Sequence, residues 1–117
     1  VLGLLAMPGV WLTIAEVGGE PAGFALCRRV LEEAELLLLA TAPHLRRRGV
    51  AAALLRAVAS DASAQGARTL HLEVRDGNEA IKLYSNEGFA KVGERRDYYR
   101  GPNGRLFDAL TFQRDLA

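Results

Sequence analysis

The chain has 117 residues, half of them hydrophobic, with 15 Lys and Arg against 14 Asp and Glu. That length suits one domain with one core. The near-zero net charge excludes a globally basic nucleic-acid or polyanion binder. The single cysteine, Cys27, rules out an internal disulfide framework and points to a reducing, cytoplasmic setting. Apolar runs such as Leu36 to Ala40 fall far short of the roughly 20 residues of a membrane span, so no membrane partner is expected. Residues 1–6 lack the basic region that opens a signal peptide. Residues 1–7 begin without Met and read as the remnant of an element already under way. The expectation is a single domain over 1–117 that lacks its N-terminal part.

Residues 10–15, Val-Trp-Leu-Thr-Ile-Ala, are β-branched and aromatic and predict a strand. Gly18-Gly19 is a hairpin turn, and residues 22–30 return as a second strand. After Glu32-Glu33, residues 35–41 form a third strand, whose continuous leucines predict burial on both faces. From Gly49 the period changes. Val50, Leu54, Val58 and Ala62 recur every four residues with Leu55 beside them, the stripe of a helix that Gly66 ends. Residues 69–75 alternate, with Leu70, Leu72 and Val74 on one face and His71, Glu73 and Arg75 on the other. Asn78 caps a short helix that Gly88 closes. Residues 89–99 and 106–114 are strands around the turn Gly101-Pro102-Asn103-Gly104. The order β-β-β-α-β-α-β-β is an α+β domain with a mixed sheet, parallel in the middle and antiparallel on either side.

The chemistry concentrates where the third strand meets the long helix: Ala42-Pro43-His44-Leu45-Arg46-Arg47-Arg48-Gly49-Val50-Ala51-Ala52. The first amides of a helix lack intrahelical acceptors, and with the helix dipole they favour an anion. Three arginines reinforce the sign, and Gly49 and the alanines leave the backbone open. This is a phosphate or pyrophosphate cradle without the Gly-Lys-Ser/Thr ending of a Walker loop. His44, His71 and one cysteine give no metal-ligand spacing, so no metal is expected.

Arg46-x-x-Gly49-x-Ala51 resembles the pyrophosphate-binding pattern Gln/Arg-x-x-Gly-x-Gly/Ala of the GCN5-related N-acetyltransferases (GNAT). Leu83-Tyr84-Ser85-Asn86-Glu87-Gly88-Phe89 is similar to that family's Leu-Tyr-x-x-x-Gly-Phe. Leu72-Glu73-Val74-Arg75, Asn78, Tyr84, Arg95-Arg96-x-Tyr98-Tyr99 and Asp108-Ala109 resemble the RimI-type members, which acetylate a ribosomal protein's N-terminal alanine. The resemblance runs from about Pro21 to the C-terminus. It implies a mostly antiparallel sheet with a central splayed parallel pair flanked by helices, here without the family's first strand and helix. It also implies transfer of acetyl from acetyl-CoA to an amine. Leu39, Ala40 and Thr41 would line the thioester and pantetheine. Arg46, Arg47, Arg48, Gly49, Val50, Ala51 and Ala52 would hold the pyrophosphate, and Asn78 the CoA arm. Glu73 would be the general base, Tyr84 the general acid, and Tyr98 and Tyr99 the lining of a peptide groove. Three departures accompany these matches. Asn78 to Tyr84 is one residue shorter than the family's spacing, and the kept spacing of Ile81, Tyr84 and Gly88 puts the loss in the loop after Arg75. Arg46 stands where the RimI type more often has Gln. The family's opening strand and helices, which usually wall one side of the substrate groove, are expected here only as the remnant at residues 1–7.

The RimI resemblance implies a protein N-terminus, that of a ribosomal protein, as the acceptor; an α-amine, with a pKa of about 7.7–8.0 against about 10.4 for lysine, is also far cheaper to deprotonate at neutral pH. Two alternatives remain at this level: a GNAT enzyme for a small-molecule amine, and an inactive CoA-binding remnant acting as an interaction module. Oligomeric state is not legible.

Overall fold

The computed structural model describes residues 7–116. The remnant of an element expected over residues 1–7 therefore lies outside it except for Met7. Six strands form one sheet in the order β1-β2-β3-β4-β6-β5: β1 (Val10–Val17), β2 (Glu20–Val30), β3 (Glu33–Thr41), β4 (Thr69–Arg75), β5 (Ala90–Arg100) and β6 (Leu106–Asp115). A 3-10 turn at Pro43–Leu45 leads from β3 toward helix α1 (Val50–Ala64), and α2 (Ala80–Asn86) joins β4 to β5. Only β3 and β4 pair in parallel; the other seams are antiparallel. The mixed α+β architecture read from the sequence is the one observed.

The core lies between one face of the sheet and the two helices. Helix α1 buries Val50, Leu54, Leu55, Val58, Ala59 and Ala62, so its four-residue stripe is the inward face. These pack with Ala25, Cys27, Ala34 and Leu36 of β2 and β3, and with Leu70, Leu72 and Val74 of β4. Tyr84 of α2 joins the same cluster. Both helices end in the same way: Ala67 N–H donates to the Ala62 carbonyl at 3.0 Å, and Phe89 N–H donates to the Tyr84 carbonyl at 3.0 Å. At the second of these stops Gly88 adopts φ +90°, a conformation that favours glycine. Arg56 of α1 clamps Glu87 with two bonds of 2.8 and 3.0 Å, tying the two helices together at the surface.

Burial of β3 on both faces is not what the structure shows. Leu36 is buried, but Leu38 is 45% exposed. The cause is a β-bulge: Cys27 faces Leu36 and Leu26 faces Leu38, which leaves Leu37 as an extra residue. Alternation shifts there, so Leu36 and Leu39 share the helix side while Leu38 and Ala40 take the other. On that other side Leu12, Ile14, Phe24 and Leu38 are exposed.

Candidate functional site

The β3–β4 seam is short. Glu33 faces Thr69, Ala34 faces Leu70 and Glu35 faces His71, and beyond that rung the strands diverge. The His71 imidazole stands 3.8 Å from the Glu35 carboxylate at this last rung. Beyond it, each strand presents backbone groups to a gap rather than to a neighbour.

A cleft of about 600 Å³ opens at this gap on the helix side. Its wall includes the end of β3 (Leu39, Ala40, Thr41), the loop residues Arg46, Arg47 and Gly49, and the first turn of α1 (Val50, Ala51, Ala52). Asn78, Ala80, Leu83 and Tyr84 complete it. Of the residues expected to bind the cosubstrate, the structure brings together all but Arg48, which is exposed and not on the wall. The chain turns at Arg47, where φ is 65°.

The helix start is built for an anion. Gly49 holds φ +77° and offers no side-chain cap. Ala53 N–H is bonded to the Gly49 carbonyl at 3.0 Å, so the amides of Val50, Ala51 and Ala52 precede the helix's own ladder. No acidic residue occupies the first turn. Among the described residues, Arg46, Arg47 and Arg48 make no ion pair with a carboxylate. Open amides, a favourable dipole and uncommitted guanidiniums fit a pyrophosphate.

Asn78 and Tyr84 both reach this cleft despite the short spacing between them. The Asn78 Oδ1 accepts the Ala80 N–H at 2.8 Å and so opens α2 as the sequence suggests, while its residue also lines the cleft. Tyr84 is held by edge-on packing against Phe89, with centroids 6.0 Å apart, and by tilted packing on Phe112 at 6.5 Å. Burial raises its phenol above the ordinary value, which keeps the hydroxyl protonated at neutral pH. Ala80 and Leu83 were not singled out as site residues from the sequence; Ala80 lies three residues before Leu83 and four before Tyr84, and that helical spacing is the signal that finds them.

Glu73 lies on the opposite face of β4 from Leu72 and Val74, exposed to solvent. It is not on the cleft wall. Its Oε1 stands 3.4 Å from the Tyr99 hydroxyl. Tyr98 stacks edge-on against Tyr99, with centroids 5.2 Å apart and planes at 86°, and the Arg95 guanidinium sits 5.1 Å from the Tyr98 ring. The structure therefore places the expected acid on the helix side of the sheet, and the expected base with the tyrosine pair on the other. Between them the β3–β4 pairing has ended, its last rung being Glu35 and His71.

Cys27, the one thiol, offers no covalent route. It is buried, and burial, aided by the charge of Asp61, pushes its pKa up to about 12. Among the described residues no cluster of His, Cys, Asp and Glu could hold a metal ion, and no helix is long and apolar enough to cross a membrane.

Comparison with known proteins supplies the family. The acetyltransferase (GNAT) family pattern matches residues 4–89. A [ribosomal protein bS18]-alanine N-acetyltransferase of Haemophilus ducreyi is 43% identical over 88 residues, covering 74% of this chain and 61% of the relative. The N-alpha-acetyltransferase RimI of Mycobacterium tuberculosis is 36% identical over 116 residues, covering 95% of this chain and 70% of the relative. The crystal structure of the ribosomal-protein-S18-alanine N-acetyltransferase from Escherichia coli superposes with a TM-score of 0.89 at 32% identity, covering 99% of this chain and 75% of that one. The chain thus spans about three-fifths of the first relative's length. With its pattern matched over most of its length and its fold shared, the chain belongs to the acetyltransferase (GNAT) family.

Proposed function

We propose that this chain transfers acetyl from acetyl-CoA to the α-amine of a protein N-terminus, with a ribosomal protein as the acceptor that the names of other relatives suggest. Such a partner sets the reaction in the cytoplasm. The observation that carries the reading is the cleft at the splayed seam, where α1's open amides, Arg46, Arg47, Asn78 and Tyr84 share one wall.

In this reading the amides of Val50, Ala51 and Ala52 and the two arginines hold the pyrophosphate, and the end of β3 guides the pantetheine toward the gap. The acceptor approaches from the opposite face, past Tyr98 and Tyr99. Glu73 on that face takes the amine's proton, directly or through one water. The C–N bond forms as the C–S bond breaks, and Tyr84 on the helix side donates its proton to the departing sulfur. Unpaired N–H groups of β3 beyond Glu35 face the carbonyl oxygen as negative charge develops there. Holding both reactants in one gap supplies the remaining advantage.

The test is release of free CoA with a panel of acceptors. A peptide with a free N-terminal alanine should react. The same peptide, blocked at its terminus and carrying an internal lysine, should not, because deprotonating lysine at neutral pH costs roughly 3 kcal/mol more. Preference for a free polyamine or amino-sugar would move the assignment to a small-amine acetyltransferase. Tight CoA binding with no acceptor turned over would leave an interaction module.

A further inference from the structure

The expected role of Tyr99 is to line the acceptor groove, yet its hydroxyl is aimed at the carboxylate assigned as the base. We propose that Tyr99 is a positioning residue for Glu73: its O–H donates to Oε1, fixes the carboxylate plane, and leaves Oε2 free to face the acceptor amine. This rests on the reading of Glu73 as the base.

The geometry is built by the β5–β6 pairing. Arg95 faces Ala109, but the next paired residues are Tyr99 and Phe107. Arg96, Asp97 and Tyr98 therefore stand against Asp108 alone. Regular pairing would place Tyr99 opposite Arg105. The slip moves it two residues along the partner strand, about 7 Å at some 3.4 Å per residue, toward the end where Glu73 lies. Asp108 holds the slip in place. Its Oδ1 accepts the Asp97 N–H at 3.0 Å, and its carbonyl accepts the Asp76 N–H at 2.8 Å. Asp97 takes φ 53°, a conformation disfavoured for most side chains, to complete the turn. Tyr98, with Arg95 over its ring, then buttresses the Tyr99 ring from the side.

At 3.4 Å the contact is longer than the 2.7–2.8 Å or so of a mature O–H···O bond. Catalytic hydrogen bonds are often long in a free enzyme and tighten when substrate arrives. The titratable and charged groups facing the Tyr99 hydroxyl are Glu73 on β4 and Tyr98 and Arg95 on β5. Burial first, then the charge and bond of Glu73, raise the phenol above its ordinary range. That gives the pair a signature independent of turnover.

Two measurements decide the matter. Tyr99→Phe keeps the ring, its stacking and its lining of the groove, and removes only the hydroxyl. It should lower kcat about tenfold, the size of one hydrogen bond to a charged group, with the peptide KM and acetyl-CoA affinity changed less than about twofold. On a Glu73→Gln background the same change should have almost no effect. In parallel, NMR titration of the Tyr99 ring in the intact protein should show its midpoint falling by about half a pH unit or more in Glu73→Gln. A loss confined to KM, a full tenfold loss repeated without Glu73, or an unmoved Tyr99 titration would each overturn the proposal. Should the wild-type protein acetylate nothing, the enzymatic reading fails while the titration still judges the Tyr99–Glu73 pair.

Discussion

At Gly49 the backbone takes φ +77° with open space where a side chain would stand. A substitution there is strained but not crowded, which separates conformation from charge. Gly49→Glu should abolish acetyl-CoA binding, because its carboxylate would stand among the amides meant for the pyrophosphate. Gly49→Asn, which tolerates the left-handed region, should still bind; calorimetry of the two variants checks the pair. Loss with both would assign the effect to backbone strain instead. Glu73 has a cleaner prediction. Glu73→Gln keeps shape and removes the base, so turnover should fall by about 10²-fold or more while acetyl-CoA affinity holds. Stopped-time assays of acetylated peptide, with calorimetry alongside, measure both quantities.

Among the elements, β2 and β3 lie so close under α1 that Gly23 has no room for a Cβ. An added methyl would sit 2.5 Å from the Ala40 carbonyl oxygen, 3.2 Å from Leu54 Cδ1 and 3.3 Å from Thr41 Cα. Gly23→Ala should cost about 1–3 kcal/mol, as overpacking does. Because Ala40 and Thr41 line the cleft, it should also weaken acetyl-CoA binding; urea melts and calorimetry report the two effects. The elements themselves were legible in the sequence wherever the signal is local. The stripe of α1, the alternation of β4, and the glycine stops after both helices read directly, since each depends on residues within a turn or two. The cradle was legible for the same reason: loop, glycine and helix start are contiguous. What stayed hidden depends on register between distant strands. The bulge at Leu37 turned Leu38 outward against the expectation from four leucines in a row. The slip at Arg96 to Tyr98 gave Tyr99 a neighbour 26 residues away in sequence. Arg48 left the wall because the chain turns at Arg47, which residue type alone does not announce.

For the molecule as a whole, Cys27 links stability to alkali. Its thiol has a reference value of 9.0 when unfolded and about 12 when folded, so the folded value is raised. The contribution is therefore complete below pH 9, and it drains away as pH rises from there toward 12, by up to about 1.4 kcal/mol per unit. Cys27→Ala should be less stable at neutral pH but show a shallower decline of Tm between about pH 8.5 and 10.5. A decline as steep as the wild type's would point to other groups. The raised Tyr84 phenol has the same sign and acts above its own ordinary value, near pH 10.

The short β3–β4 seam has a mechanical consequence. Among the described residues it joins the sheet through three paired positions, where each neighbouring seam has seven or eight. The sheet is thus two plates on a narrow hinge, β1-β2-β3 on one side and β4-β6-β5 on the other. One plate carries the wall at Leu39 to Thr41, and the other carries Glu73, Tyr99 and the strand that leads to Tyr84. Any flexing about the hinge changes the distance between reactants directly, so a ligand seated across the gap works as a brace. Amide hydrogen exchange along both lips should slow together when acetyl-CoA binds, while the outer seams, each paired at seven or eight positions, change little.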